Sequence, residues 1–143
     1  MQIKIRKTKK NEIKLLRKIA KATPEVLDTQ NYIEGEITFE RLLKHGICIV
    51  AELDKEIVGF LLANLNERTH CSYLIYCITK PKYRGKGIGT MLMKEWFRIC
   101  RKNKVTYLDT YAPSFNKKTV TFYQKMGMTK GKPWIYFSKK LKH

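Results

Sequence analysis

The sequence lacks any apolar run long enough to cross a bilayer. A spanning helix needs about 20 consecutive apolar residues, whereas the longest apolar stretches here are strand-sized, such as residues 57–62 with Gly59 among them. The first residues also lack the apolar segment and the small-residue cleavage site of a signal peptide. These absences predict a cytoplasmic protein that has no membrane partner.

Closely spaced metal ligands are missing as well. The four cysteines contain no Cys-x-x-Cys pair, and the three histidines supply no His-x3–5-His partner for them. A structural zinc site requires such spacing, so we expect no metal. Intracellular cysteines seldom form disulfides, and we therefore expect free, buried thiols.

Acidic residues are scarce, with 12 Asp and Glu against 30 Lys and Arg, which gives a net charge of +18. The imbalance is local: residues 80–104 carry nine bases and one acid, whereas residues 31–75 carry seven acids and four bases. Such a surface attracts polyanions, so nucleic acid or the ribosome is a candidate partner. A solvated lysine-rich surface explains the charge equally well, and without a nucleic-acid motif we favour that interpretation.

Hydrophobic residues make up 43% of the chain, enough for a core, and 143 residues suit one domain spanning 1–143. Periodicity predicts a mixed α/β fold in the order β-α-α-β-β-β-α-β-α-β. The predicted strands are 2–5, 47–51, 57–62, 73–79, 105–111 and 134–138. The first helix is capped by Thr8 or Asn11 and stops at Pro24, and further helices cover 38–44, the stripe from 88 to 100, and 120–126.

The most informative segment joins the predicted strand 73–79 to the helix that follows it. It places glycines at every second position, Gly85, Gly87 and Gly89, beside basic residues at 82, 84 and 86. Glycine lets the backbone approach a ligand closely, and the free N–H groups of a helix start attract anions. The spacing is neither the G-x-G-x-x-G of dinucleotide folds nor a Walker A sequence. We therefore predict a different phosphate-binding turn.

Two motifs carry a resemblance to a known family. The segment Arg84-Gly85-Lys86-Gly87-Ile88-Gly89 resembles the Arg/Gln-x-x-Gly-x-Gly/Ala motif of the GCN5-related N-acetyltransferases (GNAT). Further on, Asn116, Thr119 and the run 122–128 (FYQKMGM) resemble that family's Asn-x-x-Ala-x-x-Phe-Tyr-x-Lys-x-Gly-Phe, with Thr for Ala and Met for the last Phe. The resemblance covers roughly residues 47–138 and implies a central, mostly antiparallel twisted sheet flanked by helices.

The same resemblance implies an enzyme that transfers an acetyl group from acetyl-CoA directly to a primary amine. Tyr123 matches the general-acid tyrosine that protonates the CoA sulfur, while Asn116 and the backbone at Ile78 and Thr79 would contact the acetyl-pantetheine arm. The pyrophosphate would be held at the glycine turn. The residues of that turn are Arg84, Gly85, Lys86, Gly87, Ile88, Gly89 and Thr90.

The general base and the acceptor are less defined. Many relatives carry a Glu on the central strand, but residues 73–79 contain no acid, which leaves Glu34, Glu36, Glu67 and His70 as candidates. Cys77 is a conceivable acyl carrier, although a buried strand cysteine is the more common case. Acids of the segment 31–75, including Glu40, would favour a cationic acceptor such as a polyamine, a lysine side chain or a peptide amine.

Two other functions remain open from the sequence. A basic nucleic-acid-binding module accounts for the net charge but not for the two motifs. A CoA-binding protein without catalysis is compatible with the missing strand acid. The family often forms homodimers, yet no residue here predicts the oligomeric state.

Overall fold

The computed structural model describes residues 2–23 and 32–143. Within them it has five strands, four α-helices and short 3-10 turns at Lys10–Glu12 and Pro81–Tyr83. The strands are β1 Ile3–Lys7, β2 Ile47–Leu53, β3 Glu56–Ala63, β4 Cys71–Thr79 and β5 Tyr107–Asp109. The helices are α1 Ile13–Lys21, α2 Glu36–His45, α3 Ile88–Lys102 and α4 Lys117–Lys125.

The sheet follows the order β1-β2-β3-β4-β5. The first four strands pair antiparallel, and β5 pairs parallel to β4. The parallel pairing is possible because the 15-residue helix α3 carries the chain back before β5 begins. The expected mixed, mostly antiparallel sheet flanked by helices is confirmed.

The core lies on both faces of the two central strands. Seven of the eight residues of β3 are buried, and so are six of the seven in β2. From α1 and α2, Leu16 and Phe39 pack into this core, and α3 contributes Leu92 and Trp96, which are fully buried. The indole Nε1 of Trp96 donates to the Ser72 hydroxyl at 2.9 Å, so its polar atom is satisfied. Burial of the apolar stripes of α1, α2 and α3 therefore fixes the layers.

The predicted ends of the helices are partly confirmed. Helix α2 ends at Gly46, as expected, and a Cβ there would lie 2.8 Å from the Ala63 carbonyl oxygen. Helix α4 ends before Gly127, whose φ of 89° suits glycine. Helix α1 ends at Lys21, and the predicted stop at Pro24 lies outside the described residues.

The last predicted strand is wrong. Residues 134–138 form no strand, and Trp134 and Phe137 are 82% and 84% exposed. A strand needs a hydrogen-bonded neighbour, and among the described strands none pairs with this segment. Strand β5 is also shorter than predicted, with three residues instead of seven.

The chain divides into two compact units, Met1–Thr110 and Tyr111–His143. All described residues that are buried belong to the first unit. The second unit contains α4 and the irregular residues after it. None of the helices in the described part of the chain is long and apolar enough to cross a membrane.

Candidate active site

Strand β4 has an open edge along its second half. Strand β5 pairs only with Cys71–Tyr73, so beyond Leu74 the described sheet pairs β4 on its β3 side alone. The Lys80 N–H donates to the Val58 carbonyl at 2.9 Å, toward β3. Because backbone groups alternate along a strand, those of Cys77 and Thr79 face the open edge, and those of Ile78 face β3.

A β-bulge marks the point where β4 and β5 separate. Leu62 is opposite Tyr76 and Ala63 is opposite Leu74, so Ile75 has no partner in β3. Thr110 donates from Oγ1 to the Leu74 carbonyl at 3.0 Å, just before this point. Bulges bend a strand and increase its twist, and this one lies directly after the last β4 residues that pair with β5. Nothing in the sequence indicated this bulge.

The glycine turn begins directly after β4 and leads into α3. Gly85 and Gly87 have φ values of 79° and 82°, in the left-handed region, and a Cβ on either would meet nothing within 4 Å. Gly87 is the N-cap of α3, which has no capping side chain. The first hydrogen bond of the helix runs from the Met91 N–H to the Gly87 carbonyl. The N–H groups of Ile88, Gly89 and Thr90 come before it in the chain and therefore have no carbonyl acceptor within the helix. The turn thus has the left-handed glycines and the free helix start on which the predicted anion site depends, and anion binding itself stays a prediction.

Basic side chains surround this turn, and the carboxylate of Glu56 contacts two residues at its start. Arg84 Nε donates to the Thr79 carbonyl at 3.0 Å. Glu56, at the start of β3, accepts from the Tyr83 hydroxyl at 3.1 Å and lies 3.3 Å from Lys80 Nζ. The Tyr83 pKa is raised, first by its hydrogen bond to Glu56. The ammonium groups of residues 82 and 86 lie 5.7 and 5.8 Å from the Tyr83 ring centroid, within cation–π range.

Gly59 lets the start of α3 approach the sheet. A Cβ at this position would lie 2.8 Å from the Ile78 carbonyl oxygen and 3.3 Å from Ile88 Cγ2. Ile88 is 1% exposed and anchors the first turn of the helix. From the sequence, Gly59 was only an interruption of an apolar run. Its role as a spacer depends on a contact between residues 29 positions apart.

On the opposite side of β4, Glu34 is fixed against the middle of the strand. Its N–H donates to the Tyr76 hydroxyl oxygen at 3.1 Å, and Arg17 Nε donates to its carbonyl at 3.0 Å. The Tyr32 hydroxyl lies 3.3 Å from the Glu34 carboxylate. Burial raises the Tyr76 pKa, so this phenol remains protonated at neutral pH. Sequence reasoning missed Tyr76, which was hidden in a strand rich in Tyr and Ile.

The other candidate acids lie elsewhere. Glu36 and Glu40 line a groove of about 470 Å³ together with Lys10 and Lys14, so their charge is locally balanced. Glu67 and His70 precede β4, at the far end of the strand from the glycine turn. Of the four candidate bases, Glu34 is the one that the structure brings to β4.

The thiol of Cys77 does not suit acyl transfer. Burial raises its pKa to about 12, and the thiolate is the nucleophilic form. At neutral pH the Cys77 side chain is therefore a neutral thiol, in agreement with the expected structural role. The four cysteines are free, as expected, but only Cys48 and Cys100 are buried, so the expectation of buried thiols is wrong for Cys71 and Cys77, which are partly exposed.

Asn116 and Tyr123 both belong to the second unit. Asn116 is the N-cap of α4, and its Oδ1 accepts from the Thr119 N–H at 3.2 Å. This bond uses the carbonyl oxygen of the Asn116 amide as the cap of the helix. Tyr123 is half-buried, with its ring centroid 5.7 Å from that of Phe122. The carbonyl of Tyr123 accepts from the N–H groups of Met126 and Met128, which closes the helix end.

These features agree with a known family. The model of the family described as "Acetyltransferase (GNAT) family" matches residues 13–128. The chain belongs to the GNAT acetyltransferase family. The match includes the glycine turn, Asn116 and Tyr123, so the resemblance stated from the two motifs is confirmed.

Curated relatives are distant and longer. An uncharacterized N-acetyltransferase of Methanocaldococcus jannaschii is 24% identical over 100 residues, which cover 64% of this GNAT chain and 44% of that protein. An uncharacterized N-acetyltransferase of Archaeoglobus fulgidus is 27% identical over 101 residues, which cover 67% of this chain and 66% of that protein. The chain thus spans less than two thirds of the length of these relatives.

Solved structures share the fold over nearly the whole chain. The aminoglycoside acetyltransferase meta-AAC0020 from a soil metagenome, in complex with sisomicin, has a TM-score of 0.78 at 19% identity and covers 98% of this chain and 97% of its own. The PaiA N-acetyltransferase of Thermoplasma acidophilum, in complex with coenzyme A, has a TM-score of 0.70 at 23% identity, with coverages of 88% and 89%. At these identities the likeness shows the GNAT fold.

Proposed function

We propose that this protein is an acetyl-CoA-dependent N-acetyltransferase that acts on a cationic primary amine. The observation that carries the proposal is the uncapped start of α3, where two left-handed glycines follow the open edge of β4. The N–H groups of the first turn of α3 and the dipole of that helix favour binding of a pyrophosphate at this position. Family membership adds support, and a GNAT structure with coenzyme A bound has the same fold.

Residues of the first unit could contact two parts of acetyl-CoA, the pyrophosphate and the pantetheine arm. Exposed Lys82 and Lys86 would add positive charge beside the pyrophosphate. The backbone groups of Cys77 and the Thr79 N–H, which face the open edge, would hydrogen-bond the pantetheine arm as an additional strand does. The same groups would orient the thioester for attack, which is a large part of the rate enhancement in such reactions. The Thr79 carbonyl is already engaged with Arg84 Nε, and the Ile78 backbone, which the family resemblance assigned to the arm, faces β3 instead.

Tyr123 and Asn116 are assigned to the transfer step by their place in the family motif. The deprotonated amine nitrogen attacks the thioester carbonyl carbon and forms the new N–C bond. The nitrogen then releases its second proton to solvent, the C–S bond breaks, and the CoA sulfur leaves. The Tyr123 hydroxyl would give its proton to that sulfur as general acid. The Asn116 Nδ2 would hold the arm, since its Oδ1 is already engaged with the Thr119 N–H.

Glu34 is the group that we assign to the acceptor. Its backbone is tied to the Tyr76 hydroxyl and to Arg17, which places the residue beside a β4 side chain about three residues, or roughly 10 Å along the strand, before the strand end. A carboxylate there would attract an ammonium group and accept its proton, directly or through water, because an alkyl ammonium with pKa near 10 is not nucleophilic. Aminoglycosides carry several such groups, and solved structures of this fold include aminoglycoside acetyltransferases.

The decisive experiment is calorimetric titration of acetyl-CoA into the parent, a Gly87→Glu variant and a Gly131→Glu control. Gly87→Glu combines an unfavourable φ with a negative charge at the pyrophosphate, and we expect affinity to fall about 100-fold or more, because several hydrogen bonds to a charged group are lost. Gly131 has nothing within 4 Å of a Cβ, so its variant should bind like the parent. No binding by the parent at moderate salt would refute the proposal.

The acceptor assignment has its own test. With spermidine as the amine, Glu34→Gln should raise KM about tenfold, since one charge-assisted contact is removed. Glu40→Gln is the matched control, because Glu40 lies beside Lys10 and Lys14 and its loss should leave KM unchanged. Equal KM values for both variants and the parent would exclude Glu34 from acceptor binding while leaving the cofactor site standing.

A further inference from the structure

A basic groove lies at the end of the sheet opposite the glycine turn. It measures about 820 Å³ and is formed by the last turns of α2 and α3 and by the β3–β4 connection. Its basic members are Arg41, Lys44, His45 and Arg68. Three asparagine side chains line it as well, and Glu67 is the one acid among the lining residues. The groove is therefore positive and rich in hydrogen-bond donors.

The helix dipole explains only some of this charge. Lys44 and His45 lie in the last turn of α2, where a base is favourable for the helix itself. Arg41 lies a turn earlier, and Arg68 comes from a loop. Within the described residues, none of the ion pairs involves Arg41, Lys44 or Arg68. These three bases are exposed and available to a ligand.

The loop that carries Arg68 is held in place by its own hydrogen bonds. The Asn66 Oδ1 accepts from the N–H groups of Arg68 and Thr69 at 3.1 and 3.3 Å. Asn66 also pairs with Cys71 through backbone bonds in both directions. An ordered loop loses little entropy when its arginine engages a ligand. Exposed bases at 101, 102 and 104 extend the positive surface around Asn103.

We propose that this groove binds the sugar–phosphate backbone of a nucleic acid without sequence preference. Arginine forks match phosphate oxygens, and asparagine amides add donors to phosphate and sugar. No Phe, Tyr or Trp lines the groove, so base stacking contributes nothing there and the recognition is electrostatic. Backbone binding of this kind accounts for part of the +18 net charge that acetyl transfer leaves unexplained.

The groove and the glycine turn are separate sites. The groove adjoins the start of β4 at Cys71, and the turn follows its end at Thr79. Eight rises of about 3.3 Å place them roughly 26 Å apart. Binding at the groove is therefore expected to be independent of acetyl-CoA, and the inference does not require the proposed transferase activity.

The test is fluorescence anisotropy with a labelled 20-base-pair DNA duplex over a range of salt concentrations. The groove variant carries Arg41→Gln, Lys44→Gln and Arg68→Gln. The control variant removes the same charge from the outer face of α1, with Lys14→Gln, Lys18→Gln and Lys21→Gln, all exposed positions. All substituted side chains are exposed, and far-UV circular dichroism checks that both variants are folded.

We expect the groove variant to lose tenfold or more in affinity and the slope of log K against log salt to fall by about 3, since each phosphate contact contributes about 0.9. The control variant should keep the slope of the parent. Equal losses in both variants would show diffuse attraction and overturn the proposal, as would the absence of binding by the parent at low salt. Arg68→Gln alone should lower the slope by about 1.

Two competitors complete the test. Saturating acetyl-CoA should leave duplex binding unchanged. Displacement of the duplex by acetyl-CoA would show that the duplex binds at the glycine turn and would refute binding at the groove. Poly-glutamate at equal charge concentration should compete weakly. If it competes as well as unlabelled duplex, the groove is a general anion site and its assignment to nucleic acid is wrong.

Discussion

The two units of the chain differ in how they are built. Residues 2–23 and 32–110 contain all the described buried side chains, among them 12 large ones with under 2% exposure. Residues 111–143 contain none, and α4 buries no residue. Yet each unit carries one of the two family motifs. A recognisable motif is thus no measure of how firmly its segment is packed, because a motif reflects ligand contacts and a core reflects burial.

Charge divides the units as sharply as burial does. All 12 acidic residues lie in the first 110 positions, whereas residues 111–143 have eight lysines and no Asp or Glu. The described salt bridges accordingly belong to the first unit. The lysines of the second unit repel one another and gain nothing from ion pairs within it.

The largest predicted effect compares the two tryptophans, one in each unit. Trp96 is fully buried and bonded to Ser72, so Trp96→Ala should lower the free energy of unfolding by about 3–5 kcal/mol. Trp134 is 82% exposed, and Trp134→Ala should change it by no more than about 0.5 kcal/mol. Urea unfolding measures both. A loss above about 2 kcal/mol for Trp134→Ala would show that this side chain is buried in solution and would end the contrast between the units.

The second prediction concerns the catalytic role of Tyr123, which belongs to the second unit. Tyr123→Phe should lower kcat about 100-fold, as expected when a general acid is removed, with little change in the Kd of acetyl-CoA. Tyr136→Phe is the control, because Tyr136 is 66% exposed and outside the motif. Steady-state kinetics and calorimetry separate the two quantities. An unchanged kcat for Tyr123→Phe would show that another group protonates the CoA sulfur and would refute the assignment of Tyr123 as the general acid.

The third prediction tests the contact that joins the first unit's sheet to the glycine turn. Gly59→Ala should destabilise the fold by about 2 kcal/mol, since its Cβ meets a backbone oxygen at 2.8 Å. It should also weaken acetyl-CoA binding by shifting Ile88. Gly131→Ala, in the second unit, has open space and should change neither. If Gly59→Ala leaves stability and affinity intact, the spacer role of this glycine is wrong.

The smallest effect comes from a carboxylate of the first unit. Glu12 accepts two hydrogen bonds from Arg6 at 2.9 and 2.7 Å, and Arg6 lowers its pKa. A lowered pKa in the folded state stabilises the protein above the unfolded value near 4.3, and this contribution disappears as the pH falls through the folded pKa. Glu12→Gln should therefore cost about 1 kcal/mol at pH 7.

The same pair of proteins gives the pH control. As the pH falls from about 4 through the lowered pKa of folded Glu12, the stability difference between the parent and Glu12→Gln should shrink toward zero, because the parent's Glu12 then becomes protonated in the folded state too. Urea unfolding at pH 7 and pH 3 measures this. A difference that stays constant with pH would attribute the effect to packing rather than to the ion pair.

The sequence predicted the helices and internal strands well because their signals are local. The apolar stripe of α3 repeats at helical spacing, and Gly46 and Gly127 end their helices where expected. The strand expected at 134–138 failed for the opposite reason. Its aromatic and β-branched residues favour an extended chain. A strand, however, also needs a neighbouring strand to pair with, and the sequence of the segment does not show whether such a partner is present.

For the candidate site, the sequence by itself determined the glycine turn. Left-handed φ values at Gly85 and Gly87 favour residues without a Cβ, so the residue types themselves indicate the turn. Only the tertiary structure decided the bulge at Ile75, the open edge of β4, the spacer at Gly59 and the place of Glu34 against Tyr76. Each of these depends on groups that are distant in sequence and meet only when the sheet and its helices pack, which no local pattern records.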